Sequence, residues 1–266
     1  MSLPAVPDAF FWTRESWGAA LRCRPLAVHA AHLFTTRQLE LSGAADERVV
    51  NAALGTRRLA MLTQVHGAGV AVVRGRAALP DRRTQGDVLV SNAAGVGIGV
   101  RSADCVPLLL ADAVTGAVAA VHAGWRGTAA GAARAAVSAL TREFGSRPAD
   151  LVAAIGPSIG PCCYEVGPEL VDAFAAAGHE RHHIDRWFLA LPPPRGSRAL
   201  PSLRLDLAAA NRDQLILAGA SPEHVHLCGL CTAMHLDVLT SYRAEREGAG
   251  RIMGVIVSHA VSNGDG

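Results

Sequence analysis

The chain contains no lysine: all 25 basic residues among its 266 are arginine. This excludes two chemistries. A Schiff base needs a lysine amine, and the phosphate-binding P-loop needs its lysine. Any oxyanion must therefore be held by arginine or by backbone N–H groups, both suited to the task. Genome composition is sufficient to explain the bias, but the chemical consequence stands. Runs of basic residues are also missing. The net charge is +2 and scattered, which is no electrostatic footprint for nucleic acid. The most apolar region, 88–121, is broken by Arg101, Asp104 and Asp112, so it is not expected to span a bilayer. The first eight residues lack a basic start followed by an apolar stretch, so no signal peptide is expected. These absences predict a cytoplasmic protein with neither nucleic acid nor membrane as partner. Cys23, Cys105, Cys162, Cys163, Cys228 and Cys231 would then sit in a reducing setting, where thiols are more often buried, metal-bound or reactive than paired.

Half of the residues are hydrophobic and 18% are charged, enough for a sizeable core without a disulfide scaffold. Residues 1–28 read as a lead-in segment, with 1–25 loosely structured. A first strand is expected at 29–36 and a helix at 47–56. Short apolar runs bounded by Gly, Asn and Asp predict strands at 70–73, 87–90, 96–101, 106–110 and 118–122. Thr128 reads as the cap of an Ala-rich helix over 129–144, with Gly145 as its stop. Further strands are expected at 151–155, 225–228 and 251–258. Further helices are expected at 168–177, at 206–218 with Asp206 as cap, and at 237–247. Residues 178–204, including Pro192-Pro-Pro194, read as a polar surface loop. Strands followed by alternating helix and strand predict an α/β fold. It would be a single domain over 29–258, a mixed β-sheet core in a sandwich-like layered arrangement with flanking helices, and a tail at 259–266.

Three side chains stand out as metal ligands: His66 in Gln64-Val-His-Gly67, Cys105 in Arg101-Ser-Ala-Asp-Cys105, and His122 in Val121-His-Ala-Gly-Trp-Arg-Gly127. Each falls at the end of an expected strand, and strand ends on one rigid sheet can converge. Catalytic zinc takes three protein ligands and an open position, which two His and one Cys match. Spacing alone fits equally well a buried core thiol and two structural histidines. Cys228-Gly-Leu-Cys231 has redox or metal-knuckle spacing but no second pair, and reads first as structural. Cys162 and Cys163 read as packing residues beside the pocket. Gly95-Val-Gly-Ile-Gly99 runs into a strand rather than a helix, so the dinucleotide reading fails.

The motifs Asp87-Val-Leu-Val90, Arg101-Ser-Ala-Asp-Cys-Val-Pro-Leu108 and Val121-His-Ala-Gly-Trp-Arg-Gly127 closely resemble those of the YfiH-type laccase-domain family. So do Phe34-Thr-Thr-Arg37, Gln64-Val-His-Gly67, Ala154-Ile-Gly-Pro-Ser-Ile-Gly160, Cys163-Tyr-Glu-Val166, Cys231-Thr232, Ser241-Tyr-Arg243 and Gly250-Arg251. The resemblance runs from about residue 29 to 257. It implies a zinc site at His66, Cys105 and His122. It also implies phosphorolysis of adenosine, inosine and methylthioadenosine, with some adenosine deamination. The older description of the family as multicopper polyphenol oxidase fits this sequence poorly. Paired histidines are needed in number, and only His224-Val-His226 has the His-x-His form. Copper remains an opportunistic occupant, because it outcompetes zinc at most N/S sites.

Phosphorolysis needs an anion site. Arg37, Arg101 and Arg126 are the phosphate candidates, because guanidinium forks match oxyanions, and Gly124–Gly127 leads into a helix start with free N–H groups. Cys105, Asp104 and Arg37 are the catalytic candidates, with Asp104 or Asp87 as proton shuttle for deamination. The nucleobase-deaminase signature is absent. Two rival readings remain. One is a cysteine hydrolase of cell-wall peptide precursors, with Cys105 activated by His66 or His122. The other is a non-catalytic metal-binding interaction module. The preferred nucleoside stays open, as does a homo-oligomeric state. Val238-Leu-Thr240 stands where the family often carries an aromatic residue before Ser-Tyr-Arg, which bears on substrate preference.

Overall fold

The run Val106–Asp112 has no polar face, and every residue in it is buried. Such a strand is stable only where both faces of its sheet are covered. The computed structural model, which describes residues 3–39, 44–74, 79–191 and 202–258, supplies that cover. One six-stranded sheet runs, in spatial order, Phe10–Glu15 (β1), Gly18–Cys23 (β2), Ala30–Thr35 (β3), Ile252–Ser258 (β15), Val96–Ser102 (β7) and Arg58–Ala60 (β4). The second runs Val225–Leu227 (β14), Leu151–Ile155 (β10), Val106–Asp112 (β8), Val118–Ala123 (β9), Val88–Ser91 (β6) and Val70–Val73 (β5). A small sheet joins Glu165–Val166 (β11), Ser202–Leu205 (β13) and Phe188–Leu191 (β12). The helices are Arg24–Ala27 (α1), Ala44–Ala53 (α2), Trp125–Ala129 (α3), Ala132–Phe144 (α4), Glu169–Ala176 (α5), Arg181–Trp187 (α6), Leu207–Leu217 (α7) and Tyr242–Glu245 (α8).

Strand alternation explains the layering. In β8, Leu109 and Ala111 join Phe34, Ile98 and Ile256 in a core between the two large sheets. Leu108 and Leu110 point the other way, into a core shared with Ala132, Ala133, Ala136, Val137 and Leu140 of α4. A third core lies on the outer face of the first sheet, where Leu33 and Val255 meet Val50 of α2 and Leu54 just after it. The result is helix, sheet, sheet, helix. Gly145 ends α4 in the left-handed region at φ 71°, and Asp206 caps α7 by accepting from the Ala209 N–H at 2.9 Å.

Several local expectations change. Residues 10–23, read as loose lead-in, form the β1–β2 hairpin at one edge of the first sheet. Thr128 lies inside α3, and Gly131 precedes α4 instead; the Thr128 hydroxyl accepts from Asn211 Nδ2 at 2.9 Å. The expected loop 178–204 contains α6, β12 and β13, because Ile184 and Trp187 give that polar stretch enough apolar surface to dock. Pro192-Pro-Pro194 and the tail 259–266 lie outside the described residues. Between 237 and 247 only Tyr242–Glu245 is α-helical, with Arg246 turning out at φ 54°. Among the described residues no helix is long and apolar enough to cross a membrane.

Leu109 is fully buried between the sheets. Leu109→Ala should cost about 2–5 kcal/mol, as for a truncated core leucine, read in urea unfolding as a lower midpoint at unchanged slope.

Candidate metal centre and cationic cleft

The sheet register brings two of the three predicted ligands together. In the β8–β9 ladder Val106 pairs with Ala123, and Pro107 with His122. Cys105, one residue before β8, therefore lies against Gly124, one residue after β9. A Cβ on Gly124 would sit 2.7 Å from Cys105 Sγ, so a side chain there is incompatible with this sulfur position. The third ligand, His66, comes from the loop between β4 and β5. It carries φ 61°, a left-handed conformation that costs energy in a residue with a Cβ.

Asp87, one residue before β6, sustains that conformation. Its carboxylate accepts from the backbone N–H groups of Val65 at 3.2 Å, His66 at 3.0 Å and Gly67 at 2.7 Å. The same carboxylate faces His122 Nδ1 at 2.8 Å, leaving Nε2 as the other ring nitrogen. Gln64 adds a second clamp, donating to the Arg101 carbonyl and accepting from its N–H, both at 2.8 Å. As a result, one ligand atom each from His66, Cys105 and His122 lies within 4.8 Å of the others. The two imidazoles meet edge to face, with centroids 4.9 Å apart.

The electrostatics follow from this packing. Burial pushes the Asp87 carboxyl up, but hydrogen bonds from His122, Gly67 and His66 outweigh it and hold the group below the usual carboxylate range. Burial likewise pushes the Cys105 thiol up, but hydrogen bonds and charge from His122 and His66 bring it down to about 7. Burial works against the His122 imidazolium, but Asp87 and Cys105 hold it up at about 9. The donor set fits zinc: one thiolate, two imidazoles, and a carboxylate fixing the tautomer of one of them, an arrangement recurrent behind metal-binding histidines.

The three ligands line a cleft of about 760 Å³ with Arg101, Arg126, Arg243, Arg246 and Arg251. Arg126 stacks over the Trp125 ring at 4.3 Å and has no ion pair among the described residues. Arg101 leans toward Glu47 at 3.4 Å, while its Nε is buried without a partner among them. The helix start expected to bind anions, α3, is only five residues long.

Two sequence candidates take other roles. Arg37 is not among the cleft-lining residues. Its guanidinium donates to the carbonyls of Leu236 and Leu239 and pairs with Glu245 at 2.9 Å, so it is committed to bracing 236–245. Asp104 lines the cleft, and the chain does turn there at φ 86°. Both its oxygens are engaged at 2.6 Å, by the Thr232 hydroxyl and the Arg243 N–H, which makes it a brace rather than a free base. Asp87, the other shuttle candidate, is the orienting carboxylate. Sequence reasoning overlooked Tyr164, Arg243, Arg246 and Arg251 as cleft residues. Tyr164, Arg243 and Arg251 lie in motifs that carry the family resemblance, Arg246 in none, and the excess of arginine over carboxylate partners is the available signal.

Fold and site together define a layered α/β protein with two histidines and one cysteine grouped as candidate metal ligands in an arginine-rich cleft. The chain belongs to the family described as multi-copper polyphenol oxidoreductase laccase, whose family model matches residues 39–259. It is 33% identical to the purine nucleoside phosphorylase YlmD of Geobacillus stearothermophilus, over 94% of this chain and 97% of that one. It is 35% identical to a purine nucleoside phosphorylase of Bacteroides thetaiotaomicron, an alignment that spans 65% of this chain and 61% of that protein. It is 39% identical to adenosine deaminase RL5 from an unknown prokaryotic organism, over 63% and 62%. The solved structure of Bacillus licheniformis YfiH superposes with a TM-score of 0.78 at 25% identity, covering 92% of this chain and 97% of that one.

Two outcomes are expected. Asp87→Asn should lower zinc affinity about 10–100-fold, the usual cost of losing an outer-shell acceptor, in competition with a chromophoric chelator. Metal binding requires deprotonated ligands, so zinc displaces the His122 proton below about pH 9 and the Cys105 proton as well below about pH 7. Apparent affinity should therefore fall as pH drops from 9, and more steeply below 7, in the same titration repeated across pH.

Proposed function

We propose that the chain is a zinc-dependent purine nucleoside phosphorylase acting on adenosine, inosine and methylthioadenosine, with adenosine deamination as a side activity. The observation that carries this reading is the cleft itself, where five arginines surround one ligand set and the lining carboxylate, Asp104, is already hydrogen-bonded. A cationic cleft of this kind suits a phosphate nucleophile beside a neutral nucleoside. His66, Cys105 and His122 would hold the zinc, which when bound supplies a Lewis acid to stabilise developing charge.

In phosphorolysis a phosphate oxygen bonds to the ribose anomeric carbon, and the base leaves with the electron pair of the broken glycosidic bond. Arg126 and Arg101 are the phosphate ligands favoured here, Arg126 because it has no ion pair and Arg101 because its Nε has no acceptor. Arg243 lies over the Tyr164 ring at 5.0 Å. Burial, reinforced by the nearby Cys105 and Asp104 charges, pushes the Tyr164 hydroxyl up to about 12. The phenol therefore stays protonated at neutral pH and serves as a hydrogen-bond donor rather than as a general acid. The thiol residues suit a reducing, cytoplasmic setting.

A second reading rests on one observation. Cys105, His122 and Asp87 also have the order of nucleophile, base and orienter, as in cysteine hydrolases. His66 has no task in such a triad and completes a metal set instead.

Incubation with adenosine and phosphate should release adenine and ribose 1-phosphate, resolved by chromatography. Arg126→Ala should lower kcat/KM for phosphate about 10–100-fold, in line with ~1.5–3 kcal/mol for a lost charge-assisted hydrogen bond. Chelation should abolish turnover and open Cys105 to alkylation. Full phosphorolysis in the chelated protein would overturn the zinc requirement, and rapid alkylation of Cys105 before chelation would favour the hydrolase reading.

A further inference from the structure

Three cysteines outside the cleft form a second donor group. Cys162 and Cys163 lie in the tight turn after β10, where the N–H groups of Cys163 and Tyr164 both donate to the Gly160 carbonyl at 3.0 Å. Cys231 follows β14. The parallel β10–β14 pairing extends past both strands through a bridge between Ser158 and Cys231, which brings the two loops side by side. One sulfur from each cysteine lies within 4.8 Å of the other two. The Gly160 N–H donates to Cys231 Sγ at 3.3 Å, the kind of bond that tunes metal-bound thiolates.

Cys228 does not belong to this group. It is buried in the core between the large sheets, so the Cys-x-x-Cys spacing splits and Cys231 joins partners some seventy residues away in sequence, as the Gly160–Cys231 separation of 71 indicates. Arg204 stands beside the thiols. Its Nη1 donates to the Cys162 carbonyl at 3.2 Å and its Nη2 pairs with Glu165 at 3.1 Å. Its Nε is buried without a partner among the described residues.

The donor set is sulfur alone. Soft thiolates select ions such as Cu(I). Structural zinc is closed by four protein ligands, and among the described residues no fourth His, Cys, Asp or Glu joins this group. We propose that Cys162, Cys163 and Cys231 form a second metal site, a three-thiolate site for Cu(I), separate from the His66–Cys105–His122 centre. The ion enters as Cu(I) and no electron is transferred. Each ligating thiol releases one proton to solvent, and the resulting negative charge lies next to the Arg204 guanidinium. Cys162 is exposed and provides the entry path. Bound there, the ion fastens two loops that serve the cleft. Cys163 precedes Tyr164, and Cys231 precedes Thr232, whose hydroxyl holds Asp104.

The test is anaerobic titration of the full chain with Cu(I) against a colorimetric Cu(I) chelator. Cys105→Ser/His122→Ala removes the first centre and should still bind one equivalent, with a sulfur-only shell in X-ray absorption. Adding Cys162→Ser and Cys163→Ser should remove that equivalent. In the otherwise native chain, Cys162→Ser/Cys163→Ser should keep one zinc at the first centre and an unchanged circular dichroism spectrum, which separates ligand loss from misfolding. The proposal is overturned if the first-centre variant binds no Cu(I), if its shell contains nitrogen, or if the four-substitution variant retains the ion. None of these outcomes depends on nucleoside turnover, so the phosphorylase reading stands or falls separately.

Discussion

The Asp87 carboxylate is the constraint on which the site depends. It sits 1% exposed at the start of a central strand and binds a histidine of its own sheet and three consecutive N–H groups of a loop from outside it. A buried carboxylate is tolerated only when its hydrogen-bonding capacity is met, and here meeting it fixes two ligands at once. The left-handed backbone at His66 has no support in its own sequence and persists because these N–H groups have a shared acceptor. Losing the His122 bond would leave a buried ring nitrogen unmatched, at a cost of about 1–3 kcal/mol. The geometry is therefore cooperative.

Much of this was legible in the sequence, for identifiable reasons. Strands β6 to β10 were readable because nearly all their residues are buried, so they appear as short apolar runs interrupted only near their ends. Gly145 and Asp206 were readable because helix stops and caps are local chemistry. The hairpin at 10–23 was not readable, because an edge strand that is only half covered, such as Phe10–Glu15, shows no clean alternation. The helix at 181–187 was missed because just two of its residues are buried. For the site, residue type pointed to His66, Cys105 and His122, but the role of Asp87 depends on strand register, which spacing does not reveal. Arg37 misled for the opposite reason. Its partners lie about 200 residues away, as the 199-residue separation from Leu236 shows, and only the folded chain displays that they are backbone carbonyls.

The family description speaks of several coppers, whereas the two donor groups found among the described residues are a mixed histidine–thiol set and an all-thiol set. Neither supplies the histidine-rich surroundings that a multinuclear copper cluster requires. His224 and His226 belong to neither group. The nitrogen-bearing set opens onto the arginine-rich cleft and the sulfur set is not among the residues that line it, so the two locations differ by ligand hardness as well as by surroundings.

The cleft draws its cations from two mechanically different sources. Arg101 and Arg126 flank the sheet ends that carry the candidate metal ligands, whereas Arg243, Arg246 and Arg251 all hang from one short stretch of chain just before the final strand. That stretch is tied to Asp104, the neighbour of Cys105, through the Arg243 N–H. Grafting a different sequence between residues 241 and 251, with the N–H that meets Asp104 kept, would rewrite what the cleft admits while leaving its floor intact. The cleft wall and the candidate metal ligands therefore belong to separate segments of the chain, free to diverge at different speeds.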